Sequence, residues 1–176
     1  MRKILAMIVL LSVVILVPSC DYRDVPKYED ITYRENGLEF KLPNDMKRLD
    51  SDEYDFYFVN IIETVIFTAA KLDSEFVVKN DIEYDLTAEE YVNTFIKRNN
   101  LNKEDLYYAF DENTGRHSLR YTFAEAGSSE IFYYVVVLGD VGNVWYLEMV
   151  TANEDSSRYL GTFENWSKSV RTYSEN

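Results

Sequence analysis

Cysteine and histidine occur once each in 176 residues, proline three times and glycine six times. A lone cysteine excludes an internal disulfide and any multi-cysteine metal site. One histidine beside it leaves little material for nucleophilic or zinc chemistry. So few prolines and glycines exclude collagen-like, proline-rich and Gly/Ser-linker chains. Positive charge is scarce too, with 18 Lys and Arg against 31 Asp and Glu and a formal net charge of −13. That balance argues against nucleic-acid partners, because phosphate binding needs a basic face that releases counterions. What is plentiful is apolar residues (47%) and aromatics (15%, with 15 Tyr among them). The length allows one domain, burying roughly 70% of its unfolded surface.

The first twenty residues have their own organisation. Arg2 and Lys3 precede an apolar run, residues 4–17, interrupted only by Ser12. A membrane-spanning helix needs about 20 apolar residues, so the run is short for a stable span and suits the apolar region of a secretory signal. Val17-Pro18-Ser19-Cys20 follows, and Cys20 is the only cysteine. The segment resembles a bacterial lipoprotein signal with its lipobox, in which an aliphatic residue and two small residues precede Cys; Pro18 departs from that pattern. The resemblance implies that residues 1–19 are cleaved, that the Cys20 thiol receives a diacylglyceryl group and that the new amine is acylated. Two or three acyl chains, at about 0.8 kcal/mol per buried CH₂, make release negligible. Loss of Arg2 and Lys3 leaves the mature chain still more acidic, so lipid rather than surface charge would hold it to the membrane, on the extracytoplasmic face.

Residues 20–36 read as the lipidated Cys and a charged tether, interrupted by Pro26 and spanning on the order of 20–25 Å. Within it, residues 31–33 could add an edge strand. From Gly37 the pattern is that of a fold, a single domain over residues 37–176. Leu38-Glu39-Phe40-Lys41-Leu42 alternates apolar and charged residues, as a strand with one buried face does. Further strands are expected at residues 55–59, 64–70, 106–110, 118–123, 131–138 and 144–150. The 131–138 run is apolar throughout, hence central and covered on both faces. Thr87-Ala88-Glu89-Glu90 is a capping box, opening a helix with the stripe Ala88, Tyr91, Val92, Phe95 and Ile96. A second helix over residues 155–170 carries Tyr159, Phe163, Trp166 and Val170 at helical spacing. Short late loops make neighbouring strands antiparallel, and two amphipathic helices supply one cover per face. The expected fold class is α+β, an α/β/α sandwich around a mostly antiparallel sheet.

Gly37-Leu38-Glu39-Phe40-Lys41-Leu42-Pro43 resembles the opening strand of PsbP-like domains. The aromatic-rich strands at residues 132–138 and 145–150, the polar break Asn153-Glu154-Asp155 and the segment 163–170 are similar to their ending. That family includes photosystem extrinsic subunits, Ran-binding proteins and many bacterial lipoproteins. No residues here match a partner-binding motif of the first two groups, so the resemblance implies a fold and a lipoprotein setting, not an activity.

Single residues offer little chemistry. His117 follows a Gly-containing turn and is expected to be solvated; Ser118 points to the other face of the strand and cannot serve it as a nucleophile. Asp111, Asn113 and Gly115 start like a calcium loop, but Arg116 and Thr122 occupy its required Gly and Glu places. Gly139 and Gly142 mark a hairpin, and Asn165-Trp166-Ser167 is a glycosylation sequon inside a helix. The acidic runs Asp50, Asp52, Glu53, Asp55 and Asp81, Glu83, Asp85 read as solvated loops with ionised carboxylates. Tyrosines are expected to pair across strands with hydroxyls at the rim. No catalytic, cofactor-binding or metal-binding residue is assigned; lipidation falls on Cys20. The reading is a membrane-anchored, non-enzymatic binding or assembly module of the cell envelope, with an unidentified envelope protein or glycan as partner. The alternative is a small-ligand carrier with an aromatic-lined cleft, and a carboxylate-based hydrolase comes third.

Overall fold

Both helix signals form where the residue pattern puts them. Thr87 accepts a hydrogen bond from the Glu90 backbone N–H at 3.2 Å, and the Glu90 carboxylate accepts one from the Thr87 N–H at 2.9 Å. This reciprocal cap opens α1, Ala88–Arg98, which ends at Asn99. The second helix, α2, Ser156–Ser169, follows a 3₁₀ turn at Asn153–Asp155. Tyr159, Phe163, Trp166 and Val170 are all buried. These elements belong to a computed structural model, which describes residues 29–72, 86–102, 104, 106–124 and 129–174. Cys20 and the acidic run Asp81, Glu83 and Asp85 lie outside the described residues.

Among the described residues, ten strands make two antiparallel sheets. The smaller comprises β1 (Asp30–Glu35), β2 (Leu38–Pro43) and β10 (Arg171–Thr172), in the order β1-β2-β10. The larger comprises β3 (Lys47–Arg48), β4 (Phe56–Asn60), β5 (Val65–Lys71), β6 (Tyr107–Asp111), β7 (Arg116–Phe123), β8 (Ile131–Leu138) and β9 (Trp145–Ala152). Its spatial order is β3-β4-β5-β9-β8-β7-β6, so β9 and β8 lie centrally. Residues 31–33 do add a strand: β1 pairs with β2 along its whole length, from Asp30 opposite Pro43 to Glu35 opposite Leu38.

Each face of the large sheet has its own core. On one, α2 and the inward row Leu38, Phe40 and Leu42 of β2 cover Phe56, Phe58, Phe67, Trp145, Leu147 and Met149. Phe40 lies 4.8 Å from Phe67 and 5.0 Å from Phe56, centroid to centroid. On the other, α1 covers Leu119, Val135, Val137, Val144 and Tyr146. The architecture is the α/β/α sandwich with an antiparallel centre, one side being shared between a helix and the small sheet. Among the described residues, no helix is long and apolar enough to cross a membrane.

Candidate functional site: a tyrosine-lined face around Glu148

Strand β9 reads Trp-Tyr-Leu-Glu-Met-Val-Thr-Ala. Period-2 alternation sends Trp145, Leu147 and Met149 to the α2 core and Tyr146, Glu148 and Val150 to the α1 face. Strand register then sets the neighbours. Tyr57, Thr68, Glu148, Val135, Leu119 and Tyr108 form one row across six strands. The flanking rows bring Val150 beside Tyr133 and Tyr121 on one side, and Tyr146 beside Val137 and His117 on the other. An ionisable carboxyl thus stands in the middle of a sheet face.

Tyrosines surround it. The Tyr146 hydroxyl donates to the Glu148 carboxylate. Tyr121 and Tyr133 stack across strands at 4.9 Å with rings nearly parallel. Tyr91 and Phe95 of α1 each sit 5.6 Å from the Tyr146 ring, and Tyr54 lies 6.3 Å from Tyr57. Tyr91 and Tyr146 are buried, whereas Tyr54, Tyr57, Tyr121, Tyr133 and Glu148 keep part of their surface open. The α1 helix packs over β7 and β8, and among the described residues no helix covers the β4–β5 side of the row.

The electrostatics follow from this enclosure. Burial lifts the Glu148 pKa above its ordinary value, against the opposing pull of the Tyr146 hydrogen bond. Burial first, and then the Glu148 charge, raise the phenols: Tyr54 to about 12, and Tyr91, Tyr121 and Tyr146 further still. The hydroxyls therefore stay protonated donors at neutral pH. Directly opposite Glu148, the Thr68 hydroxyl is buried and has no hydrogen-bond partner among the described residues. Arg120 Nε, Trp145 Nε1 and Thr151 Oγ1 are also unpartnered, but only Thr68 belongs to the Glu148 row. An orphan hydroxyl normally costs about 1–3 kcal/mol. Together the face offers an acceptor carboxylate, phenol donors and open ring surface, a chemistry of binding.

A stability measurement tests this description. Glu148 has a folded-state pKa above its unfolded one, so its favourable contribution is complete below the unfolded value and is lost as pH rises through the folded one. Glu148→Gln is neutral throughout. The variant should melt higher than wild type at pH 7, and the gap should close near pH 4. A variant that melts lower at pH 7 would mean the ionised carboxylate is well solvated or well paired.

Other residues fall elsewhere. His117 corrects an expectation: it is buried, not solvated. It pairs with Phe110 of β6, ring to ring at 4.6 Å, and its Nδ1 lies 2.8 Å from the Tyr108 hydroxyl. Burial lowers its pKa, opposed by Glu89. Asp111 is occupied by Arg116 at 3.0 Å and by the Asn113 N–H. Asp55 accepts from the Lys71 N–H at 2.8 Å, tying an acidic-run residue to the sheet. No group of three or more His, Cys, Asp or Glu forms a metal-ligand set among the described residues.

Away from this face, an open cleft of about 430 Å³ lies beside α2 and is lined by Asp30, Asp45, Asn60, Glu63, Arg158 and Tyr159 among others. Five of these polar side chains pair with one another. Asn60 donates to Asp45 at 2.6 Å, and Glu63 accepts from Tyr159 at 2.9 Å and Arg158 at 3.2 Å. Burial, helped by the Glu63 charge, raises the Asp45 pKa. This is a structural network, while the Glu148 face keeps a polar atom unpaired.

Glu148 is not among the candidates that the sequence pattern singles out, because the acidic signal there comes from the polar runs. The available signal was one carboxylate inside an otherwise apolar strand pattern.

No family model matches the sequence, and no curated protein matches it. Solved structures do. The chain is similar to the solution structure of PsbP (CyanoP) from Synechocystis sp. PCC 6803, with a TM-score of 0.59 at 16% identity, covering 89% of this chain and 99% of that one. A crystal structure from Bacteroides thetaiotaomicron VPI-5482 gives a TM-score of 0.55 at 11% identity, covering 82% of this chain and 48% of that one. LpqN of Mycobacterium tuberculosis, described as involved in cell envelope biogenesis, gives 0.49 at 12% identity over 84% and 92% of the two chains. The first likeness establishes a PsbP-like fold.

Proposed function

We propose that the chain is an extracytoplasmic lipoprotein, held to its membrane through Cys20, whose PsbP-like domain is a non-enzymatic binding or assembly module of the cell envelope. The tyrosine face around Glu148 is its contact surface. The observation that carries this reading is the carboxyl of Glu148 at mid-sheet, ringed by tyrosines and facing an unpaired Thr68 hydroxyl. Such groups weaken a fold unless something outside uses them. The leader and the scarcity of nucleophile–base pairs support the rest.

The small-ligand carrier is the second reading, favoured by polar atoms converging on aromatic surface. Both predict that the full lipidated protein, captured from its native envelope, retains a defined set of molecules. Glu148→Gln and Tyr133→Ala should each deplete that set at least tenfold while leaving the melting transition cooperative. A macromolecule in the set supports the assembly module, and a small molecule supports the carrier. Unchanged capture in both variants would remove the face from the mechanism. Saturable turnover abolished by Glu148→Gln would make the protein a carboxylate enzyme instead.

A further inference from the structure

The β4–β5 turn presents two adjacent isoleucines to water, Ile61 at 77% and Ile62 at 95% exposure. Single exposed apolar side chains are ordinary; a neighbouring pair at the tip of a fastened turn needs a reason. The fastening is polar. Asn60 Oδ1 accepts from the Ile62 and Glu63 N–H groups, each at 3.1 Å, and Asn60 Nδ2 donates to Asp45. Glu63 is held in turn by Arg158 and Tyr159, and Thr64 adopts a left-handed φ of 52°. The network fixes the backbone while neither isoleucine contributes burial, so the pair is held outward with little left to lose on docking.

The position of the turn identifies what it meets. Asp30 lines the same cleft as Asn60 and Glu63, so the chain enters the fold beside this tip. Only residues 21–29 separate Cys20 from Asp30. A chain of that length reaches at most about 35 Å when fully extended. A lipid on Cys20 would therefore keep this end of the domain near the bilayer.

We propose that Ile61 and Ile62 form a second membrane contact, entering the interfacial layer of a zwitterionic bilayer beside the anchor and fixing the domain's orientation. This rests on the lipidated Cys20 reading. The contact is apolar, which suits a domain whose acidic surface is repelled by anionic headgroups. A membrane-facing tip also leaves the Glu148 face on the side of the sheet away from α2, free for a partner.

The test uses the full lipidated protein in phosphatidylcholine vesicles. Cys20 is the only cysteine, so once it carries lipid, Ile62→Cys offers a single thiol for an environment-sensitive fluorophore. Val141→Cys is the control: Val141 is 55% exposed in the β8–β9 turn. It lies at the opposite end of the sheet, since β5 meets β9 with Lys71 beside Trp145 there and Ile66 beside Val150 at the isoleucine end. The probe at position 62 should shift to the blue and be quenched by a lipid-borne quencher severalfold more than the probe at 141. Adding Ile61→Asp should abolish that difference; persistence would mean the fluorophore inserts by itself and would overturn the proposal. Floating protein with both probes in water overturns the contact while leaving the anchor standing, as do equal signals at both ends. Protein that does not float overturns the anchor and the contact together. A tip that stays in water on vesicles but is shielded in native envelopes belongs to a protein partner, which also overturns the proposal.

Discussion

Trp166→Ala should lower stability by about 3–5 kcal/mol, or the melting temperature by roughly 6–20 °C for a chain of this size. Trp166 is 7% exposed on the inner face of α2. Its ring meets Phe67 of β5 at 6.4 Å, edge to face, and its helix neighbour Phe163 at 5.6 Å. Truncation removes that contact area and leaves a void between a helix and a sheet that are each held by other contacts, so collapse is limited and the cavity persists. Glu164, two positions earlier, is half-buried at the edge of that face and pairs with Arg120 of β7 at 3.5 Å. Partly exposed ion pairs contribute about 0–1 kcal/mol, so Glu164→Ala should melt within a few degrees of wild type. Thermal unfolding of both variants checks the pair; equal losses would mean that α2 does not bury the Trp166 side.

That helix was legible because its stripe has the helical period. Tyr159, Phe163, Trp166 and Val170 declare one face regardless of what they pack against, and Thr87 with Glu90 marks a helix start through local hydrogen bonds alone. Strand β8 was equally plain, since an unbroken apolar run needs cover on both sides. The features that escaped, or that stood only as alternatives like the edge strand at residues 31–33, are set by distant neighbours. Strand β1 has no buried row to alternate; Ile31 itself is 42% exposed. Its charges suit a tether, and backbone pairing with β2 is what makes it a strand. The division into two sheets was hidden for a similar reason, because β2 pairs with β10 at the far end of the chain. His117 looked solvated beside Gly115, but its burial comes from Tyr108 and Phe110 on the paired strand. Glu148 is the instructive case. The residues on either side of it are apolar and its hydrogen-bond donor Tyr146 stands two positions before it on β9, while the other tyrosines around it come from β4, α1, β7 and β8 and from the segment leading into β4. Composition supplied the tyrosines; only register could gather them.

Cys20→Ala should abolish lipid attachment altogether. The reasoning is chemical: the thioether that carries the diacylglyceryl group needs a thiolate, and the chain has no second cysteine to substitute for it. If cleavage depends on that modification, the variant should also keep residues 1–19 and migrate as a larger species. If residues 1–19 are removed as proposed, the domain without acyl chains should have no strong hold on a bilayer. Its net charge opposes anionic headgroups, and a two-isoleucine tip buries far fewer methylenes than two or three fatty chains. Metabolic labelling with a fatty-acid analogue should give signal in the wild-type protein and none in Cys20→Ala. Cys20→Ser is the sharper version, since it keeps nearly the same size and shape while removing the sulfur nucleophile. Continued labelling of either variant would place the lipid on another residue and break the link between the lipobox and the anchor. Loss of label with unchanged membrane fractionation would show that the uncleaved apolar run, residues 4–17, is itself sufficient to hold the chain.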